Sequence, residues 1–426
     1  MGRSLSSALR LQFLSENRHC SACTTLFRCG TASRMKTQSA WHVRTAKTDQ
    51  PAPSKPAKPA AISPKSGQNR PARAANVPLV AHPLQECSAA CSLSGMESPA
   101  QLALSPRYDA SAMLQELVAV CNQQRGELDQ SFLYVDGTSA NDWLRLCNSA
   151  AYVSGIRQQA PLETIGWACA QLTGNLPLCI NGLGSGDGKA ETRFTIAVAE
   201  NRTTSAAMTL NLLDISHTLL CEANQYAAQQ LQGRAKVYAL HANFHDLGRA
   251  RILHEDKGPL RARRIYTMLG ATMANLRNEV EFFAELGRWA HPDDLLVLDF
   301  QLTYAPASDP VAVYASDPPL VHGPSPTHRD WLTGPLRRHC VGVDAIDLRM
   351  ELNTHCPVPG SYELQCLAKV QMRTGEIRDF LVWRGKRYEP HQLGECLRGK
   401  GWEPMKRIEY GAADKPSAAV MVLRRS

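Results

Sequence analysis

Short apolar runs recur through the middle of the chain, separated by mixed segments of helical character. Residues 176–180, 210–213, 236–240, 264–269 and 294–300 form five such runs, and the motifs that end them are spaced by about thirty residues. That is the length of a β-α-β crossover. The pattern therefore predicts an α/β protein with a parallel, doubly wound sheet and a ligand at the carboxyl ends of its strands. Ahead of the sheet, Leu114, Leu117 and Cys121 lie at helical spacing within residues 109–121. Asn278 and Glu281 give a capped start to a helix carrying Val280, Phe283 and Leu286. Residues 307–335 are rich in Pro, Asp and Ser and read as loop, whereas residues 362–370 and 380–383 are strand-like. Residues 418–423 return to the main sheet.

The richest chemistry lies where the first run ends, at Leu183-Gly184-Ser185-Gly186-Asp187-Gly188. Glycine lets backbone approach a ligand because no Cβ stands in the way. The dinucleotide spelling Gly-x-Gly-x-x-Gly fails, with Asp187 or Lys189 at the sixth position. The phosphate-cradling loop fails too, because Leu183 takes the place of its first glycine and Ala190 that of its hydroxyl residue. What remains is the Gly-x-Gly-x-Gly turn typical of class I S-adenosylmethionine enzymes. Asp214 ends the second run 28 residues after Gly186, where an acid can take both ribose hydroxyls. Asn243 and Phe244 follow the third run, an amide for the adenine edge and a ring for its face. The fourth run passes into Gly270-Ala271-Thr272-Met273-Ala274-Asn275.

Over residues 183–300 these motifs resemble the histidine-specific methyltransferase family, known for trimethylating the α-amino group of histidine. The resemblance rests on Leu183-Gly184-Ser185-Gly186, Asp214-Ile215-Ser216, Asn243-Phe244 and Met268-Leu269-Gly270-Ala271-Thr272-Met273-Ala274-Asn275-Leu276. It implies a class I methyltransferase, Rossmann-like doubly wound sheet with an inserted α+β cap domain, and S-adenosylmethionine as cofactor. It makes Gly184, Ser185, Gly186, Asp214, Asn243, Phe244 and Gly270 the cofactor-binding residues. Asn275 inherits the role of substrate anchor, with Tyr134 and Tyr152 as catalytic candidates that position an amine or take its proton. The family usually has Asp-Phe where this chain has Asn243-Phe244. A glutamate and a serine read the imidazole in the family, but Trp383 and Gly385 stand there in this chain. A pocket without those polar partners loses its discrimination for histidine.

The implied activity is methyl transfer to a nitrogen of a small, amino-acid-like substrate, histidine itself being disfavoured. An O- or protein-methyltransferase with the same cofactor site is the enzyme alternative. A non-catalytic binding protein on the same fold is the alternative from another class. The expected division is 1–95 as a basic leader, 96–157 as a helical part of the cap, 158–306 as the cofactor domain, 307–387 as the inserted cap and 388–426 as the return to the sheet.

Charge separates the leader from the rest. Residues 1–95 hold 13 Lys or Arg against 3 Asp or Glu, net +10 within a whole-chain +8, so the remainder is −2. A nearly neutral body carries no nucleic-acid footprint. The acid-poor, Pro-, Ala- and Ser-rich leader reads as disordered: an organelle transit peptide, a secretion leader, or an overextended start with Met96 the first residue. No run of about eighteen apolar residues occurs, so no membrane span is expected. The expected protein is a soluble monomer, cytoplasmic, or organellar if the leader is a transit peptide. The fourteen cysteines include Cys20, Cys23 and Cys29, which with His19 make half of a zinc site without its second pair, so no metal is expected. His241 and His245 are expected to be solvated or capping. Cys147, Cys169, Cys179 and Cys221 read as small buried hydrophobes in a reducing compartment.

Overall fold

A computed structural model describes residues 110–153, 160–245, 262–412 and 415–426. The leader, its cysteines and the start of the expected helical cap segment lie outside the described residues. In chain order the elements begin with α1 (Ala110–Cys121), β1 (Arg125–Glu127), α2 (Gly137–Cys147), α3 (Ala150–Tyr152) and α4 (Leu162–Thr173). The alternating part follows: β2 (Leu178–Leu183), α5 (Lys189–Asn201), β3 (Met208–Asp214), α6 (His217–Gln230), β4 (Lys236–His241), β5 (Arg263–Met268), α7 (Glu279–Trp289) and β6 (Leu295–Gln301). Then come α8 (Pro310–Ser316), α9 (Pro318–His322), α10 (Pro326–His339), β7 (Val343–Asn353), β8 (Tyr362–Met372) and β9 (Ile377–Arg387). The described chain closes with α11 (Pro390–Arg398), β10 (Trp402–Ala412) and β11 (Lys415–Arg425).

Seven strands make the main sheet in the order β10-β11-β6-β5-β2-β3-β4. The five from β6 to β4 are parallel, and β11 and β10 add an antiparallel hairpin beyond β6. The order reverses at β2, with β3 on one side and β5 on the other, which opens a crevice at the strands' carboxyl ends. This is a doubly wound, Rossmann-like sheet. Alternation explains its burial. On β6, Leu296, Leu298 and Phe300 enter the core on one face, and Leu295 and Val297 enter the core on the other. Strands covered on both faces read as near-continuous apolar runs, which is why these five were visible in the sequence.

A second sheet, β1-β9-β8-β7, lies outside the alternating part. Helices α1, α2 and α10 cover it around Leu117, Phe132, Trp331, Leu336, Phe380 and Val382. The two sheets meet where β6 and β9 end. Tyr388 N donates to Gln301 O at 2.9 Å, and Leu302 bridges to Tyr388. A disulfide joins Cys121 at the end of α1 to Cys340 just after α10, with 5.3 Å between the Cα atoms.

Three expectations need correction. Residues 307–335 are not loop but mostly α8, α9 and α10. Each begins with proline, whose missing N–H costs nothing in a first turn, and Asp309, Asp317 and Ser325 precede them as N-caps. Strands β7 and β10 were not foreseen. Cys221 is exposed on α6 and Cys179 only half-buried, whereas Cys147 and Cys169 are buried. The capped start of α7 is present: Asn278 Oδ1 accepts from Glu281 N at 3.2 Å, ahead of the buried Phe283 and Leu286. Replacing Asn278 by Ala is expected to cost about 1 kcal/mol. A urea midpoint unchanged in the variant would show that tertiary packing alone sets the start of α7.

Candidate functional site

The turn after β2 places Gly184, Gly186 and Gly188 at φ 74°, 54° and 67°, where a Cβ is disfavoured. Space is also limiting. A Cβ on Gly184 would lie 2.6 Å from Thr272 Cγ2 and 3.1 Å from the Phe244 ring, and one on Gly188 would lie 2.7 Å from Ala223 Cβ. Gly184 N and Ser185 N both donate to Leu213 O, at 2.9 and 3.0 Å. Ser185 Oγ donates to Gly182 O and accepts from Leu213 N, so this buried hydroxyl fastens the turn to β3. Lys189 opens α5 but is held by Asp187 at 3.3 Å and by Asn148 Oδ1 at 3.2 Å.

Asp214 at the end of β3 is buried, and its two oxygens accept from Gly186 N and Ser216 N, each at 2.8 Å. Burial pushes its carboxyl up to about 6 against the pull of those backbone donors. Asp299 on β6 is likewise pushed up to about 6 by burial, while bonding Tyr410 Oη and Gly270 N. Gly270 and Ala271 both take positive φ, 68° and 65°. For alanine that conformation costs roughly 1–2 kcal/mol. The turn it shapes is fastened by Thr272 Oγ1, which donates to Leu269 O at 2.8 Å and lies 3.3 Å from Gly184 O.

A cavity of about 490 Å³ opens above these turns. Gly184, Gly186, Asp214, Phe244, Gly270, Asn275, Tyr134, Tyr152, Trp383 and Gly385 all line it, although they come from both sheets and from the helical segment before them. Two predicted residues stand apart. Ser185 lines a neighbouring cavity beneath the turn, and Asn243 lines another that shares Phe244, Asn275 and Tyr134 with the main one. Asn243 Oδ1 already accepts from His245 N at 2.9 Å, leaving its NH₂ group as the available donor. His241 is half-buried, with a ring nitrogen 2.9 Å from Ile215 O, and burial lowers its basicity.

Asn275 closes a 3₁₀ turn that runs from Thr272. Its Oδ1 lies 3.4 Å from Gln130 Nε2, and its side chain shares a hydrogen bond with the Tyr134 hydroxyl. Burial raises the Tyr134 pKa well above the usual phenol value, so Tyr134 is a neutral hydrogen-bonding group. Its ring packs against Trp143 at 5.5 Å and Trp331 at 5.6 Å, and Trp143 in turn meets Tyr152 at 5.8 Å. Tyr152 thus joins Trp143 in an aromatic wall of the cavity. Trp331 is fixed by donation from its indole nitrogen to Leu133 O at 3.0 Å.

Trp383 supplies a further wall, and its ring covers the face of Gly385 where a Cβ would otherwise sit. Gly385→Ala is therefore expected to turn the indole and reshape this wall of the cavity, which the near-ultraviolet circular dichroism of the variant checks. An unchanged spectrum would show that the ring does not rest on Gly385. Sequence reasoning gave no role to Trp143, Ile215, Thr272, Gln301, Trp331 and Arg387, all of which line the cavity; of these only Ile215 and Thr272 stand within the motifs that carry the resemblance. Among the described residues no group of three or more side chains could hold a metal ion, and no helix is long and apolar enough to cross a membrane.

No family model matches the chain, and no curated protein matches it. Solved structures to which it is similar include the methyltransferase CcbJ from Streptomyces caelestis, at 14% identity over 62% of this chain and 89% of that one, with a TM-score of 0.33. Magnesium protoporphyrin IX methyltransferase from Synechocystis, bound to S-adenosylhomocysteine, is 14% identical over 70% of this chain and all of its own, with a TM-score of 0.37. The 1,6-didemethyltoxoflavin-N1-methyltransferase of Burkholderia thailandensis is 10% identical over 78% of this chain and 93% of that one, with a TM-score of 0.34.

Proposed function

We propose that the chain is an S-adenosylmethionine-dependent methyltransferase acting on a nitrogen of a small, amino-acid-like molecule. One observation carries this reading: a glycine turn whose Gly184 and Gly188 leave no room for a Cβ is joined through Gly186 N to the buried carboxylate of Asp214 on the adjacent strand. The turn suits a ligand that has ribose hydroxyls and no phosphate. Asp214 would repel phosphate, and Lys189, the lysine of the turn, is engaged by Asp187 and Asn148. The residues thus fit S-adenosylmethionine, with Gly184 and Gly186 against its methionine and ribose part, Asp214 for the ribose hydroxyls, and Ile215 and Phe244 at the adenine.

That group supplies an activated methyl on a sulfonium, which leaves the protein the task of alignment and desolvation. Asn275, held from behind by Gln130 and Tyr134, anchors the acceptor. Tyr134 stays protonated and orients rather than abstracts. The aromatic wall of Trp143, Trp331 and Trp383 excludes water from the nucleophile. Kinship with the histidine-specific family is part of the proposal, supported by the residues from Met268 to Leu276, but Trp383 and Gly385 take the acceptor away from histidine.

Titration calorimetry of the full chain with S-adenosylmethionine and S-adenosylhomocysteine tests the reading. Micromolar binding of both is the expected result. Absence of binding to either would refute it.

A further inference from the structure

We propose that the main cavity holds its acceptor by a carboxylate, and that Arg387 is the residue that binds it. This rests on the methyltransferase reading and adds to it a chemical requirement on the substrate. Arg387 ends β9, lines the cavity and is 6% exposed, a charge removed from water almost completely. Its Nε donates to Asp317 Oδ2 at 3.1 Å, and Nη1 donates to Gln301 Oε1. Guanidinium carries five N–H donors, and these two bonds leave Nη2 and the second hydrogen of Nη1 without a partner. A buried arginine whose terminal fork is unspent is costly unless a ligand completes it.

The way the arginine is gripped favours a carboxylate. Asp317 touches only Nε and shares the same oxygen with the hydroxyl of Tyr362 at 2.9 Å, so it steers the side chain without covering the fork. The fork geometry matches a carboxylate in two parallel bonds. Gln301, oriented by accepting from Nη1, retains its NH₂ group as a further donor on the same wall.

Topology puts this anchor away from the cofactor residues. Asp214 ends β3 and Gln301 ends β6, three inter-strand steps apart in the sheet, or roughly 14 Å. Gly184, after β2, and Gly270, after β5, lie between, so the cofactor turns run from β3 to β5 and Gln301, the partner of Arg387, ends the next strand, β6. Asn275 and the tryptophans stand on the cap side of the same cavity. An acceptor with its carboxylate on Arg387 would run beneath Trp383 and Trp331 towards Asn275.

The test uses the full chain saturated with S-adenosylhomocysteine and three pairs of probes: L-tryptophan with tryptamine, L-phenylalanine with phenethylamine, and L-histidine with histamine. At least one carboxylate is expected to bind ten times or more tighter than its decarboxylated partner. Two variants should erase that preference while S-adenosylhomocysteine still binds. Arg387→Gln combined with Asp317→Asn removes the fork without orphaning a buried charge, and Gln301→Glu fills the fork from within and keeps the arginine. Equal binding of the members of every pair, or no binding of any probe to the loaded protein, would overturn the proposal. So would loss of S-adenosylhomocysteine affinity in Gln301→Glu, because Arg387 would then serve the cofactor. If the native protein fails to bind S-adenosylhomocysteine at all, the methyltransferase reading falls first.

Discussion

Asp214→Asn is expected to weaken S-adenosylmethionine binding by at least about a hundredfold. Hydrogen bonds to a charged acceptor contribute roughly 1.5–3 kcal/mol each, and about 1.4 kcal/mol is a factor of ten. Two ribose hydroxyls on one carboxylate therefore account for a loss of that size. The same residue sets a pH signature. Burial holds its pKa near 6, so the unliganded protein carries the ionised form at neutral pH and loses it on acidification. Affinity should be flat above about pH 7 and fall about tenfold per unit well below pH 6.

Stability should move in the opposite direction. The folded pKa is raised above the unfolded value of about 3.9, so the favourable contribution of Asp214 is complete below that value and is lost as pH rises through 6. Asp299 adds a contribution of the same sign. Between pH 7 and 5 these two groups therefore favour the unliganded fold while the cofactor lets go. Calorimetric Kd values across that range, alongside melting of the unliganded protein, separate the two trends. A cofactor affinity that ignores both Asp214→Asn and pH would remove Asp214 from the ribose site.

The parallel sheet was legible because β2, β3, β5 and β6 are buried on both faces and each crossover has a regular length. The cofactor turns were legible for a related reason, since close backbone approach demands glycine at fixed places along one stretch of chain. The cap was harder to read. Proline and aspartate gave residues 307–335 the composition of a loop, although Pro310, Pro318 and Pro326 stand in first turns. In β7 the signal existed: Ile346, Leu348, Met350 and Leu352 alternate with Asp347, Arg349 and Glu351. In β10, Pro404 beside a register shift disguised an edge strand, where proline is tolerated. Trp331 and Arg387 had no local signature at all. One reaches Leu133 across 198 positions and the other Asp317 across 70, and only the folded chain brings such partners together.

Asn275→Ala is expected to lower kcat/KM by about a thousandfold, roughly 4 kcal/mol of transition-state stabilisation, with S-adenosylhomocysteine affinity unchanged within about twofold. Asn275 belongs to the turn that follows β5, but its side chain is held from the cap side, by Gln130 and by Tyr134. Gln130 is itself fixed by donation to Arg384 O at 2.8 Å, next to Trp383 on β9. The amide is therefore the point where the cofactor turns and the aromatic wall are brought into register. Alanine would remove the anchor and leave the buried Tyr134 hydroxyl without its partner. A methyl transfer that depends on alignment suffers from both. Tyr134→Phe removes only the hydroxyl and keeps the ring against Trp143 and Trp331, so its loss should be smaller, about tenfold, and the two losses should not add because the groups share one bond. The assay is release of S-adenosylhomocysteine with the best acceptor from the amino-acid pairs. Should Asn275→Ala lower cofactor affinity as much as turnover, Asn275 belongs to the cofactor site and the acceptor must be anchored elsewhere on the cavity wall.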